Sequence, residues 1–358
     1  MIAVTKTFLP PFEEYTQLLK RAWDKAWITN NGELLQELEA KLKDYLGVKH
    51  LLFCGNGTIV LQMALKVLNI KGEVITTPFS YVATTNALLW ENCTPVFVDI
   101  NKNDFCIDAS KIEAAINANT EAILATHVYG NPCDIDAINE IAAKYKLKVI
   151  YDGAHAFGAS YKGKQVLSYG DISTCSFHAT KLFHTVEGGC IITADDQLAK
   201  ELQLIRSFGH VGDDYFVAGI NGKNSEFHAA MGLANLPYLS TIIANRKQAS
   251  EYYDALLAPL PLQRPQALPG TDYNFAYYPV IFNDEASLLK VMAALKEHAI
   301  VPRRYFYPSL NKLPYLRDHF ICEISENVSK RVLCLPLFDS LSKNEIARIC
   351  TIINSVKG

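Results

Sequence analysis

Between residue 50 and about residue 200, short apolar runs alternate with stretches of helical periodicity, and no other feature constrains the fold as much. The runs at 50–54, 73–77, 95–99, 122–127, 148–151, 172–177 and 190–193 have strand length. PVFVDI is apolar nearly throughout, as a strand covered on both faces should be. Within 134–145, Ile135, Ile138, Ile141, Ala142 and Tyr145 fall on one helical face. Strands alternating with helices predict an α/β domain with a mainly parallel sheet.

The remainder reads differently. Residues 224–257 predict a helical connection broken near Pro237. PLPLQRPQALPG is a Pro-rich linker, followed by a strand over 275–282, a helix over 285–298 and a last helix over 344–356. With 358 residues, 49% of them hydrophobic, the chain is long enough for more than one core. The expected division is an N-terminal segment, 1–30, packing across the domains, a large domain over 31–257 and a small α+β domain over 258–358.

A net charge of -3, from 34 basic and 37 acidic residues interspersed along the chain, gives no reason to expect a nucleic-acid or membrane partner. The start, MIAVTKTFLPPFEEY, lacks a basic region followed by an apolar run, so no signal peptide is expected, and no window suggests a transmembrane helix. Nine scattered cysteines without a C-x-x-C pair suit a reducing, cytoplasmic setting and argue against a disulfide framework or structural zinc.

Ligands of open α/β sheets bind beyond the carboxyl ends of the strands. Three such ends carry polar residues that packing does not require. Gly55-Asn56-Gly57-Thr58 joins LLFC to a helix, and a glycine turn opening a helix offers N–H groups and a positive dipole end to a phosphate. A plain strand–helix turn reads the same way. Asp152 ends VIYD, where a carboxylate can keep a ring nitrogen protonated or simply cap the next segment. Lys181 lies between Phe177 and Phe183 and before Glu187-Gly188-Gly189. An apolar setting is costly for an ammonium, and a Schiff base with an aldehyde cofactor removes that cost. Read alone, Lys181 is more readily a snorkelling surface lysine. Phosphate turn, carboxylate and lysine on successive strand ends together suit pyridoxal 5'-phosphate.

The stretches GNGTIVLQMAL, EVITTPFSYVATTNAL, CTPVFVDI, THVYGNPCDIDAI, YDGAHAFGASYKGK, SFHATKLFHTVEGG and GINGKNSEFHAAMGL resemble the DegT/DnrJ/EryC1/StrS family of pyridoxal-phosphate-dependent sugar-nucleotide aminotransferases. The similarity runs from WITNNG to CLPLFDSLSKNEI, and Ser-Phe-His-x-x-Lys followed by Glu-Gly-Gly is its most specific part. It implies the aspartate-aminotransferase fold (fold type I), with a mainly parallel mixed sheet in the large domain and a smaller α+β C-terminal domain. It further implies that Lys181 carries the cofactor and shuttles the proton, and that Asp152 pairs with the pyridinium nitrogen. His155, where many members have Gln, is placed near the ring hydroxyl. Tyr81, or Phe79 if the shorter segment after Pro78 shifts the register, is placed on the ring face. Gly57, Thr58 and Ser176 are placed on the phosphate, and Asn221 on the cofactor phosphate of a neighbouring subunit, which implies a homodimer with shared sites. Lys223 stands where relatives have Arg. Members with His in place of the lysine are dehydratases, so Lys181 favours transamination.

The resemblance is nearest in style to the enzymes forming dTDP-4-amino-4,6-dideoxyglucose. L-Glutamate is then the expected donor, a dTDP-linked 4-keto-6-deoxyhexose the acceptor, and O-antigen or other polysaccharide synthesis the destination. A 3-aminotransferase acting on a 3-keto-sugar, a desulfurase and a non-catalytic pyridoxal-phosphate-binding regulator are the rivals. Desulfuration needs a nucleophilic cysteine on a mobile loop, and a regulator usually carries a DNA-binding module; neither is evident. His178 and His184 flank the lysine without a third ligand, so no metal is expected.

Overall fold

The computed structural model describes residues 1–316 and 320–356. Its centre is a seven-stranded sheet made of β1 (His50–Cys54), β2 (Glu73–Thr76), β3 (Thr94–Phe97), β4 (Thr120–Thr126), β5 (Lys148–Asp152), β6 (Ile172–Ser176) and β7 (Gly189–Thr193). The spatial order is β1-β7-β6-β5-β4-β2-β3. Only β7 runs against its neighbours, β1 and β6; the other pairings are parallel. The mainly parallel α/β sheet expected from the sequence is therefore present, with strand ends displaced by no more than two residues.

Both faces of the sheet are covered, which explains the unbroken apolar runs. Successive side chains of a strand point to opposite faces. Phe53, Ile123, Ala125 and Val149 accordingly join one core with Ala22 of α1 (Phe12–Asp24) and Leu34, Leu38 and Leu42 of α2 (Glu33–Leu46). Leu52, Cys54, Leu124 and Ile150 join the other, with Val60, Met63 and Ala64 of α3 (Gly57–Val67) and Ala87 and Leu88 of α4 (Val82–Trp90). The helix read at 134–145 is α5 (Ile135–Tyr145), capped by Asp134, whose side chain accepts the Ala137 N–H at 3.2 Å. Tyr145, counted on its apolar face, is instead 39% exposed, because the helix stops there on the left-handed Lys146.

The helical connection is α6 (Glu226–Asn235), then a 3-10 turn holding Pro237, then α7 (Leu239–Leu257). The break falls where the proline removes a backbone donor. Beyond it, β8 (Tyr278–Ile281) and β9 (Val332–Leu335) form an antiparallel pair. They are covered by α8 (Glu285–Glu297), α9 (Lys343–Ser355) and the later turns of α7. The strand expected over 275–282 is shorter at its start. Phe275 has φ 54, and the Asn274 amide donates to the carbonyls of His155 (2.8 Å) and Phe157 (3.0 Å), so 274–277 is a loop anchored to the segment that follows β5.

The first eight residues make two contacts with segments far apart in the sequence. Ile2–Ala3 pairs in parallel with Ile300–Val301, while the Thr7 hydroxyl donates to the carbonyl of Ala179, two residues before Lys181. No helix among the described residues is long and apolar enough to cross a membrane.

Candidate active site

Because β7 alone is reversed, six strands present their carboxyl ends at one edge of the sheet and β7 begins there. A cavity of about 260 Å³ opens at that edge. It is lined by Gly57 and Thr58 after β1, Tyr81 after β2, Asp152 and His155 from β5 onward, and Ser176 and Lys181 from β6 onward. Topology thus brings together residues spread over more than a hundred positions. Asn221 is the predicted site residue that does not line the cavity. It is exposed, and the adjoining Gly222 carbonyl accepts the Gly55 N–H at 3.0 Å, so its segment is tied to the glycine turn.

The turn after β1 is built around α3. The Asn56 side-chain oxygen accepts the N–H groups of Thr58 (3.0 Å) and Ile59 (2.8 Å), a standard N-cap. The Gly57 N–H and the Thr58 hydroxyl keep no protein acceptor among the described residues. A Cβ on Gly57 would lie 2.7 Å from the Ser176 Cβ, and one on Gly189 would lie 2.6 Å from the Asn56 carbonyl carbon. Two glycines therefore let three strand ends close on one another, leaving amide and hydroxyl donors at the positive end of a helix.

Asp152 is buried and its carboxylate is held from two sides. Its Oδ2 accepts the Thr84 hydroxyl at 2.7 Å and its Oδ1 accepts the Ala154 N–H at 3.1 Å. Lys181 is half-buried, and its Nζ makes no hydrogen bond or ion pair among the described residues. Burial pushes its ammonium below the usual lysine range, and the Asp152 charge opposes that shift. His155 is buried too. Burial first, and then the Lys181 charge, holds its imidazole well below the ordinary histidine range. Its Nδ1 has no hydrogen-bond partner, and its ring lies parallel to Phe306 at 5.6 Å between centroids.

Phe79 and Tyr81 occupy different environments. Phe79 is fully buried, edge-on to Phe105, Tyr129 and Phe306. Tyr81 is 52% exposed at the mouth of the cavity, just before α4. The cavity wall also includes Tyr277, Arg303, Tyr305 and Phe306, which sequence reasoning missed. They arrive through the C-terminal layer: Arg303 exchanges backbone hydrogen bonds with Cys334 of β9, at 3.1 and 2.8 Å. The remaining signal was two arginines set among aromatics in RRYFY, too short to place by itself.

The two histidines flanking the lysine have protein partners. His184 Nε2 lies 2.6 Å from the Phe8 carbonyl and 3.1 Å from the Asn235 amide, while His178 Nδ1 lies 2.8 Å from the Thr180 hydroxyl. All nine cysteines are buried, so none offers a nucleophile on an exposed loop. A second cavity, about 720 Å³, adjoins the first and shares Thr58, Tyr81 and Ala83 with it, with Trp90, Ile205 and Ile220 on its walls. A larger cavity, about 1210 Å³ and lined by Lys102, Arg264 and Arg331, shares no residue with either, so size alone does not locate the chemistry.

The family model described as the DegT/DnrJ/EryC1/StrS aminotransferase family matches residues 12–354. A Shigella dysenteriae protein named dTDP-4-amino-4,6-dideoxy-D-glucose transaminase is 40% identical over 363 residues, with 99% of both chains covered. An Acidithiobacillus ferrooxidans protein named UDP-N-acetyl-3-dehydro-alpha-D-glucosamine 3-aminotransferase is 35% identical over 361 residues, covering 99% of this chain and 96% of its own. The solved structure of DesI in the presence of its TDP-sugar product superposes with a TM-score of 0.94 at 31% identity, covering 99% of this chain and 92% of that one.

Proposed function

The chain belongs to the DegT/DnrJ/EryC1/StrS aminotransferase family, and from that premise we propose that it moves the amino group of L-glutamate to a dTDP-linked 4-keto-6-deoxyhexose. The product is a 4-amino-4,6-dideoxy sugar nucleotide for O-antigen or other polysaccharide synthesis. The observation that carries the reading is the single cavity in which Lys181, Asp152 and the Gly57–Thr58–Ser176 cradle meet.

The residues present fit pyridoxal phosphate. An unpartnered lysine amine, a buried carboxylate, a buried imidazole nitrogen lacking a partner and a donor-rich helix start are the groups that an aldehyde, a ring nitrogen, a ring hydroxyl and a phosphate would use. When bound, the cofactor supplies an aldehyde for amines and an electron sink for the carbanion chemistry of transamination. The chain does the rest. Gly57, Thr58 and Ser176 would hold the phosphate, with Asn221 of the partner subunit completing its shell. Tyr81 would cover one face of the ring, and His155 would meet the ring hydroxyl. Asp152 would keep the ring nitrogen protonated. Lys181, its ammonium destabilised by burial, reaches the free-amine form more readily and moves the proton at the substrate's amine-bearing carbon.

The adjoining 720 Å³ cavity has the room and the apolar walls for a nucleotide beside the reacting sugar. A homodimer is supported by the exposed Asn221 and by the exposed Phe208, Tyr215 and Phe216 of the same surface. Cytoplasmic residence is supported by the nine buried, unpaired cysteines. A 3-keto acceptor is the second reading, favoured by the 35% identical 3-aminotransferase.

One donor and one acceptor sharing one lysine imply a two-stage cycle. Glutamate alone should therefore release one equivalent of 2-oxoglutarate per site, with the cofactor absorbance fading in parallel, and then stop. Continued release without acceptor, or none at all, contradicts this scheme.

A further inference from the structure

Asp152 stands at the end of a buried file of hydroxyl groups that the reaction scheme leaves unused. Thr126 donates to the Ser80 Oγ at 3.0 Å, Ser80 and Thr84 are joined at 2.7 Å, and Thr84 donates to the Asp152 Oδ2 at 2.7 Å. All three hydroxyl residues are nearly inaccessible to solvent. The direction of the file follows from chemistry. A carboxylate only accepts, so the Thr84 proton goes to Asp152, and Thr84 must then accept from Ser80, which in turn accepts from Thr126. Each hydroxyl is polarised by the one behind it, and in a dry environment such chains strengthen cooperatively.

The file also crosses the sheet. Thr126 ends β4 directly opposite Asp152 in the β4–β5 register, while Ser80 and Thr84 belong to the segment leading from β2 into α4. It fixes one carboxylate oxygen, the Ala154 N–H fixes the other, and the plane of the carboxylate is set before any ligand arrives. Packing does not call for three hydroxyls here. Valine or alanine would fill the space with no polar group to satisfy.

We propose that Thr84, backed by Ser80 and Thr126, is a positioning residue that aims the Asp152 carboxylate at the cofactor ring nitrogen and keeps the shared proton on that nitrogen. This rests on the role assigned above to Asp152. Without the Thr84 hydroxyl the carboxylate keeps more of its negative charge and loses its fixed plane, and both changes draw the proton away from the ring.

The test uses the holoenzyme loaded with pyridoxal phosphate labelled with 15N in the ring. Thr84→Val should move the ring-nitrogen chemical shift toward the neutral-pyridine position and lower kcat of the glutamate half-reaction roughly tenfold or more, the scale of a hydrogen bond to a charged group. The KM for glutamate should stay within about twofold, since substrate binding is not what the hydroxyl serves. Thr84→Ser, which restores the hydroxyl, should return the shift and the rate. Ser80→Ala, one link further back, should give a smaller change in the same direction, and decides the matter if Thr84→Val does not fold. A purely structural role would lower the melting temperature and leave the nitrogen shift where it was, which overturns the proposal. Asp152→Asn is the control: if it too leaves the shift unmoved, the assignment of Asp152 fails; if it moves the shift and the hydroxyl variants do not, only the positioning role fails.

Discussion

Lys181→Ala should yield a folded protein from which borohydride no longer fixes pyridoxal phosphate to the chain and in which turnover falls by at least about ten-thousandfold, since the proposed mechanism assigns both the covalent attachment and the proton transfer to this one residue. The wild-type protein should be yellow, and mass spectrometry after reduction should place the label on Lys181. The fold should persist because Nζ makes no hydrogen bond or ion pair among the described residues and its burial costs free energy rather than supplying it. The His178–Lys181 turn is held by a backbone bond of 2.8 Å that alanine keeps. A label on another lysine, or a variant with more than a few per cent of wild-type turnover, contradicts the assignment.

Asp152→Asn should bind cofactor and melt close to wild type, yet lose roughly a thousandfold or more in kcat, equivalent to at least about 4 kcal/mol of transition-state stabilisation. The substitution keeps the size of the side chain, and its oxygen can still accept the Ala154 N–H while its amide faces Thr84 as a donor. It removes the negative charge, and an amide cannot hold a pyridine nitrogen protonated, so the electron sink weakens. A variant within threefold of wild type removes Asp152 from the mechanism.

Much of this was legible in the sequence, for a physical reason. Strands covered on both faces need unbroken apolar runs, so β1 to β7 could be located within two residues, and the polar groups interrupting that pattern at their ends stood out. Lys181, Asp152 and the Gly55–Thr58 turn were found in that way. Thr84 and Ser80 were not, because PFSYVATT reads as an ordinary helix start whose hydroxyls have no visible partner until β4 and β5 lie beside it. Arg303, Tyr305 and Phe306 reach the cavity through a backbone pairing with β9, a contact that local periodicity does not encode. Phe275 and Tyr277 looked like strand because they are apolar; the Asn274 side chain, bonding back to the segment after β5, holds them as a loop.

The claim that amino transfer occurs at a 4-keto-sugar nucleotide is tested most directly by product identity. The holoenzyme, L-glutamate and a panel of dTDP-, UDP- and GDP-linked 3-keto- and 4-keto-hexoses should be incubated in parallel, and each product's structure determined by NMR. The expected result is efficient conversion of the dTDP-linked 4-keto-6-deoxyhexose, with nitrogen on C4 and one equivalent of 2-oxoglutarate formed per amine. Amination at C3, or turnover confined to 3-keto acceptors, contradicts it.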